Sequence, residues 1–420
     1  MKKCKGVAFC LAILCLLSLC AGCAADTSSE DDVTYGNETD ENASKGDAEA
    51  TEAEPLFDEG LLAVQVHNEE DGWGFVNTKG ELVIPASFDK AYHFAENGLA
   101  RVKQDDAWGY INTNGDIVIP CTFDMAYDFN GDYAYIKVDD KYGAINEKGE
   151  YLFVPKYEQC YAFTDSGLAL VRHNEEMFFI NKQGQNIFRK TFEDAGAFSK
   201  NGLARVKIDG LWGFMNTAGR VVIHPQYEDA LAFDEEQSMA PVKKDGKWGY
   251  INESGVPICG FVYDRAFSFN GNWAIVQKDG AYGYINNRGQ EVIPPQYEVC
   301  GSFGDATAAY FKVGKKYGLI DRTGEILLPL TYAKIRSFTG NGLALVQAYD
   351  GDLYWGYIDA SGKEVIKPQF DRAGNFFGDG YAIVQVNNKY GVIDAEGQYV
   401  LDPVYIAVDA QKRSDSFPKE

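Results

Sequence analysis

The stretch Trp248-Gly249-Tyr250-Ile251-Asn252 recurs as Trp108-Gly109-Tyr110-Ile111-Asn112 and, with an aromatic exchange, as Tyr282-Gly283-Tyr284-Ile285-Asn286. In an extended strand, side chains alternate between faces, so Trp248 and Tyr250 share one face while Gly249 and Ile251 share the other. Both faces are apolar. A strand of this kind is covered on both sides, which calls for sheets stacked on sheets.

Followed along the chain, the anchor pair reads Trp73-Gly74, Trp108-Gly109, Tyr142-Gly143, Met177-Phe178, Trp212-Gly213, Trp248-Gly249, Tyr282-Gly283, Tyr317-Gly318, Trp355-Gly356 and Tyr390-Gly391. The spacings are 35, 34, 35, 35, 36, 34, 35, 38 and 35 residues, and a fixed period over ten units signals a repeat array. Three strand-like runs make up a unit, as in Gly202-Leu203-Ala204-Arg205-Val206, Trp212-Gly213-Phe214-Met215-Asn216 and Arg220-Val221-Val222-Ile223. The second and third are joined by turns such as Asn112-Thr113-Asn114-Gly115 and Asp394-Ala395-Glu396-Gly397, whose leading Asn or Asp and closing Gly fit a type I turn with a left-handed fourth residue. Each unit therefore reads as a three-stranded antiparallel meander. A proline follows the third run, as at Pro85 and Pro295, and having no N–H to donate it is expected to end the ladder. A weaker fourth strand falls near residues 88–94. Two units depart from the pattern: Met177-Phe178 replaces the anchor, and the loop Tyr349 to Tyr354 before the ninth anchor is longer.

This pattern resembles the WG (KWG) repeat family of bacterial β-repeat proteins over roughly residues 56–408. The resemblance implies an all-β array, often on exported proteins, and supplies no catalytic residues. The expected fold is all-β, with about ten tandem three-stranded repeats of about 35 residues packed like a β-propeller. An open β-solenoid or superhelical stack is the alternative, since three strands are lean for a blade and ten units exceed the usual four to eight. The anchors Trp73, Gly74, Trp108, Gly109, Trp212, Gly213, Trp248, Gly249, Trp355 and Gly356 read as packing joints between neighbouring sheets, the glycine allowing a neighbouring sheet to come close.

Ahead of the array lie two different materials. Residues 1–23 carry Lys2, Lys3 and Lys5, an apolar run from Val7 to Leu19, and Cys20-Ala21-Gly22-Cys23, the arrangement of an export signal too short to span a bilayer. Ala21-Gly22-Cys23 resembles the bacterial lipobox, although Cys20 stands where Leu is usual. The resemblance implies cleavage before Cys23 and its diacylation, and two acyl chains anchor stably where one does not. Residues 24–55 are acidic and read as a disordered tether, 56–408 as the array and 409–420 as a tail. The net charge of −23 argues against capture of nucleic acid, which needs a basic footprint.

Chemistry is sparse. Four histidines are a poor stock for catalysis, His67-Asn68-Glu69-Glu70 and His173-Asn174-Glu175-Glu176 match no zinc spacing, and neither metal nor cofactor is expected. His93 and His224 have no evident partner. Paired carboxylates would suit a glycosidase, but Asp89, Asp124, Glu158, Glu228, Asp264 and Glu298 recur with the repeat, which a single catalytic residue has no reason to do. Cys121/Cys160 and Cys259/Cys300 could bridge adjacent units or fill the core as thiols. The variable position of the first run reads Arg101, Ile136, Leu170, Arg205, Pro241, Ile275, Tyr310, Leu345 and Ile383. Candidate ligand contacts are Arg101, Arg205 and Tyr310 there, Trp273 outside the anchor register, and Tyr354 in the longer loop. The expectation is a non-enzymatic, extracytoplasmic binding scaffold, held to the lipid bilayer through acylated Cys23, with a protein or glycan partner. A propeller-type carbohydrate-active enzyme and a purely structural envelope protein are the alternatives.

Overall fold

The computed structural model describes residues 55–66, 72–304, 306–349, 351 and 353–409. The segment containing Cys23, the acidic tether, the first His-Asn-Glu-Glu stretch and the tail beyond 409 lie outside them. The described residues form ten antiparallel sheets in a ring, a ten-bladed β-propeller. Blades are numbered here by the anchor each carries.

The ring closes, and the open-stack alternative falls, because Ala407–Val408 pairs with Leu61–Gln65 through Val64 with Val408 and Gln65 with Ala407. A second regularity runs through the same junction. The turn glycine of each blade lies against the outer strand or segment of the blade before it: a Cβ on Gly115 would sit 2.9 Å from Ile84, and one on Gly149 3.1 Å from Ile119. Gly80 of blade 1 meets Leu401 of blade 10 in the same way, at 3.3 Å.

The three-stranded unit is corrected to four strands in most blades. Blade 2 consists of Lys90–Phe94, Leu99–Gln104, Ala107–Asn112 and Ile117–Phe123, hydrogen-bonded in that order. The first strand comes from the segment after the preceding blade's last strand. Elsewhere it is often only two residues long, such as Met125–Ala126 and Gln159–Cys160, too short for a periodic signal. Proline does not end the ladder: Pro120 lies inside Ile117–Phe123, where the register slips between Trp108 and Tyr110. On an outer strand, a residue without N–H also blunts edge-to-edge pairing.

Burial follows strand position. Middle strands are buried on both faces, as in Ala107–Asn112, whereas the outer Ile117–Phe123 buries only Ile119 and Phe123 and leaves Ile117 and Val118 exposed. The core therefore sits between blades. One cluster takes Leu61, Trp73, Phe75 and Ile84 from blade 1 and Phe94, Ala100 and Ile111 from blade 2. An aromatic pair recurs across such junctions, with ring centroids 4.9 Å apart for Phe75 and Phe94, 4.9 Å for Tyr110 and Phe129, 4.8 Å for Phe214 and Phe233, and 4.8 Å for Tyr357 and Phe376. Pairs of this kind contribute roughly 1 kcal/mol beyond their buried area.

Candidate functional site

The repeated tripeptide divides its labour. A Cβ on Gly109 would lie 2.5 Å from the Ile119 carbonyl oxygen and 2.7 Å from the Cys121 nitrogen. Those atoms belong to the same sheet, so the glycine serves the bulge of its own outer strand and not, as the sequence suggested, the approach of a neighbouring sheet. The flanking aromatics do face the next blade: Trp108 and Tyr110 share a cluster with Ala126, Phe129 and Ala134. The tyrosine adds a stitch, since Tyr110 Oη donates to the Tyr127 carbonyl at 2.6 Å, Tyr250 Oη to Phe267 at 2.8 Å, Tyr284 Oη to Gly301 at 2.6 Å and Tyr357 Oη to Gly374 at 2.7 Å.

Most of the candidate ligand contacts are turned inward. The variable position pairs with the residue just after the small residue of its own blade's first strand, and in two blades a glycine there makes room for a large side chain: a Cβ on Gly301 would lie 2.3 Å from Tyr310, and one on Gly196 2.8 Å from Arg205. Tyr310 is buried. Arg205 donates to the Ala230 carbonyl at 2.7 Å and lies over Trp212 at 4.8 Å. Strand pairing places Tyr135, not Ile136, at this register, because Ile136 opposes Ala126 as Val102 opposes Ala91. Trp273 occupies the leucine position, opposite Asn286 as Leu203 is opposite Asn216, and packs on Phe303 at 5.4 Å. Tyr354 alone of the five is exposed.

Arg101 belongs to a buried charge cluster. Arg101 Nε donates to Asp128 Oδ1 at 2.8 Å, and its guanidinium stacks on Tyr92 at 3.6 Å. His93 lies between two carboxylates. Its backbone N–H donates to Asp409 Oδ2 at 2.7 Å, its Nδ1 is 3.2 Å from the same oxygen, and its Nε2 is 3.8 Å from Asp128 Oδ2. Burial alone would push the His93 pKa down. The Asp128, Asp409 and Asp58 carboxylates outweigh that and raise it to about 9. At neutral pH the ring is an imidazolium, so it is no general base, and both acids that contact it face cations. The only sequence signal was register: two residues after the small residue of the first strand, blades 4, 5 and 8 have Ala162, Ala197 and Ser302, whereas blades 2 and 3 carry His93 and Asp128.

A WG-containing repeat model matches the chain at residues 73–106, 108–142, 142–176, 177–212, 212–248, 248–280, 282–317, 317–351 and 355–390. The chain belongs to the WG-containing β-repeat family. No curated protein matches it in sequence. Among solved structures, it is similar to a crystal structure of the eukaryotic initiation factor, with a TM-score of 0.50 at 13% identity, covering 83% of this chain and 96% of that one. It is also similar to the dihydro-heme d1 dehydrogenase NirN, with a TM-score of 0.34 at 14% identity and 76% and 74% coverage. A third is the extracellular domain of BT4673 from B. thetaiotaomicron, with a TM-score of 0.25 at 9% identity and 82% and 65% coverage. At these identities the likeness is one of fold.

In this WG-repeat propeller the recurring carboxylates have a recurring task. Each accepts a backbone N–H from the hairpin between the second and third strands of its own blade: Asp124 from Asp139 at 2.8 Å, Glu158 from Asn174 at 3.0 Å, Asp264 from Asp279 at 2.7 Å and Asp371 from Asn387 at 2.7 Å. The Asn or Asp of the other turn accepts two such bonds, as Asn112 Oδ1 does from Asn114 and Asp116, both at 3.0 Å. His173 sits 3.4 Å from Glu158, and among the described residues no cluster could hold a metal ion. The four described cysteines are free thiols, so neither disulfide forms. Burial pushes Cys300 up to about 12 and Cys160 well above its ordinary value, the condition of an inert core thiol.

Proposed function

We propose that this WG-repeat propeller is an exported, lipid-anchored, non-enzymatic scaffold that presents its blade 8 and blade 9 loops to a protein or glycan partner. The observation that carries the reading is a group of large apolar side chains on the longest inter-anchor segment. Tyr349, Leu353 and Tyr354 of blade 9 are 36%, 47% and 37% exposed, and Val313 of blade 8 is 43% exposed. Lys316 of blade 8 braces the loop by lying over Tyr349 at 4.2 Å. Loops held on a rigid scaffold are where binding concentrates, and exposed tyrosines are favoured anchors of interfaces. The engagement of the recurring carboxylates in hairpins, and of Asp128 and Asp409 with cations, supports a role without acid-base catalysis. The anchoring part rests on Cys23 and the basic and apolar segments before it.

Two separate measurements test the two parts. A screen of the full chain against envelope proteins and glycans is expected to find a partner whose binding falls at least tenfold in Leu353→Asp and Tyr354→Asp. Unchanged binding in both would remove the loop from the proposal. Cys23→Ala is expected to release the protein from sedimented membranes, and continued sedimentation would end the anchoring reading while leaving the loop reading intact.

A further inference from the structure

The buried charges gather at the single junction where the ring lacks covalent continuity. Of six buried charged residues among those described, Asp58, His93, Arg101, Asp128 and Asp409 lie at the closing end, and only Asp234 lies elsewhere. In blades 2 to 10 the first and second strands are successive in the chain. In blade 1 they are Ala407–Val408 and Leu61–Gln65, joined by two residue pairs and by Asp409 N–H donating to the Ala63 carbonyl at 3.0 Å.

A chain of near-identical repeats faces a choice at that point. The second strand of blade 1 needs a first strand, and most first strands of the array share the same short pattern of a small residue followed by the position of Asp409. At that position the others carry Tyr92, Tyr127, Tyr161, Leu231 or Phe267, glycine, or Arg336. Only the closing strand carries an acid. That carboxylate receives the His93 backbone N–H and faces Nδ1, His93 faces Asp128, and Asp128 accepts from Arg101, an alternating anion, cation, anion, cation row across blades 1, 2 and 3. Any other first strand would put an apolar group or a second cation against the buried imidazolium, and a buried charge stripped of its counter-ion is strongly disfavoured. Blade 3 carries Asp128 at the His93 position, but Ala162, Ala197, Ala232, Ser268 and Ser302 in blades 4 to 8 show that the fold does not need a charge there for packing.

We propose that the Asp409, His93, Asp128 and Arg101 row is a register key: it selects Ala407–Val408 as the strand that closes the ring and thereby sets the ring at ten blades. Buried polar groups that define register at some cost in stability are known from coiled coils. Here the key discriminates between repeats of one chain.

The test uses the full chain with Asp409→Asn, which keeps the shape and removes the charge, Asp409→Phe, which copies the Phe267 register, and His93→Ser, which copies Ser302. Hydrogen exchange read by mass spectrometry is expected to show amides of 61–65 and 406–409 losing at least tenfold protection in each variant, with blades 5 to 8 unchanged. Size-exclusion chromatography with light scattering is expected to show swapped oligomers for Asp409→Phe, and Asp409→Glu should restore closure. Seam protection that survives Asp409→Asn and His93→Ser, or protection lost equally from all blades, would overturn the key, the second outcome marking a role in general stability alone.

Discussion

Blades 2 and 4 occupy the same kind of place in the ring and are built differently at one residue. In blade 2 the third strand carries Gly109, and the outer strand Ile117–Phe123 lies on it through Trp108 with Phe123, Tyr110 with Ile119 and Ile111 with Ile117. In blade 4 the same position is Phe178, and the outer segment forms no paired strand on the third, meeting it at the bridges of Met177 with Phe192 and Ile180 with Asn186 and through the Ile187 N–H that donates to the Phe179 carbonyl at 3.2 Å. Arg189, between those bridges, has a φ of 53°. Even so, blade 4 stays in the ring: Met177, Phe179 and Phe192 form a cluster with Phe198, Ala204, Val206 and Met215 of blade 5. The difference separates two roles that the tandem motif runs together. Glycine makes room for the outer strand without being enough for it, since blade 6 keeps Gly249 and its outer segment is bridged to the third strand only through Trp248 with Tyr263 and Ile251 with Pro257, while the alternate-face aromatics hold blade to blade.

The largest effect should come from putting blade 4's solution into blade 2. Gly109→Phe places a side chain where backbone atoms stand within 2.8 Å of the Cβ, an overpacking that flexible neighbours cannot relieve. We expect a loss of about 3 kcal/mol or more in urea unfolding, with hydrogen exchange accelerating first at 117–123. If instead the amides of the next blade's first strand open first, the glycine serves the inter-blade joint after all.

A second effect tests the charged row at the closing junction, across blades 1, 2 and 3. Folded His93 holds its proton to about pH 9, whereas an unfolded histidine releases it near 6.5. The cluster's contribution is therefore complete below pH 6.5, declines as the pH rises, and is lost by about pH 9, a total of roughly 3 kcal/mol. Unfolding midpoints measured from pH 6 to 9.5 should fall in the wild type and flatten in His93→Ser. A parallel fall in both would assign the loss to other groups.

How much of this was visible in the sequence follows the same division. The ten units, the strand runs and the Asn-to-Gly turns were legible because they repeat at a period set by the blade. First strands were not, since a pair such as Gln159–Cys160 has no periodicity to detect. The partner of Gly109 was misassigned because alternation fixes which face a residue occupies, not whether its own sheet curls over it. Arg101, Arg205 and Tyr310 stand out in the sequence by variability, but Gly196 and Gly301 make room for Arg205 and Tyr310, and Tyr92 is the ring on which Arg101 stacks, so the variation records packing. His93 and Asp409 are more than 300 residues apart in sequence, and only ring closure brings them together.

Smaller effects sharpen the role of the third aromatic. Blades 1 and 5 carry Phe75 and Phe214 where blade 7 carries Tyr284, so the ring fits without its hydroxyl. Tyr284→Phe strands the Gly301 carbonyl it reaches at 2.6 Å and should cost about 1 kcal/mol. An unchanged urea midpoint would make the stitch dispensable.

The smallest effect should be a gain. Blade 2 turns between its second and third strands on Asp105 and Asp106, with φ of 52° and 64°, where blade 7 uses Asp279 and Gly280, at 52° and 81°. Two left-handed residues make the mirror-type hairpin turn that suits the twist of the strands, and glycine is the residue that adopts it without strain. Asp106→Gly removes a left-handed penalty of about 1 kcal/mol, offset in part by roughly 0.5 kcal/mol of extra freedom in the unfolded chain. The Lys103 to Asp106 ion pair lost with it has its carboxylate almost wholly in solvent and contributes little. The Asp106 N–H that donates to Asp89 is kept. The expected gain is therefore about 0.5 kcal/mol, read as a higher urea midpoint at unchanged slope. A loss would show that the aspartate pair contributes through its charge, which would set the acidic hairpins of blades 2 and 3 apart from the Asp-Gly hairpins of blades 5 to 7.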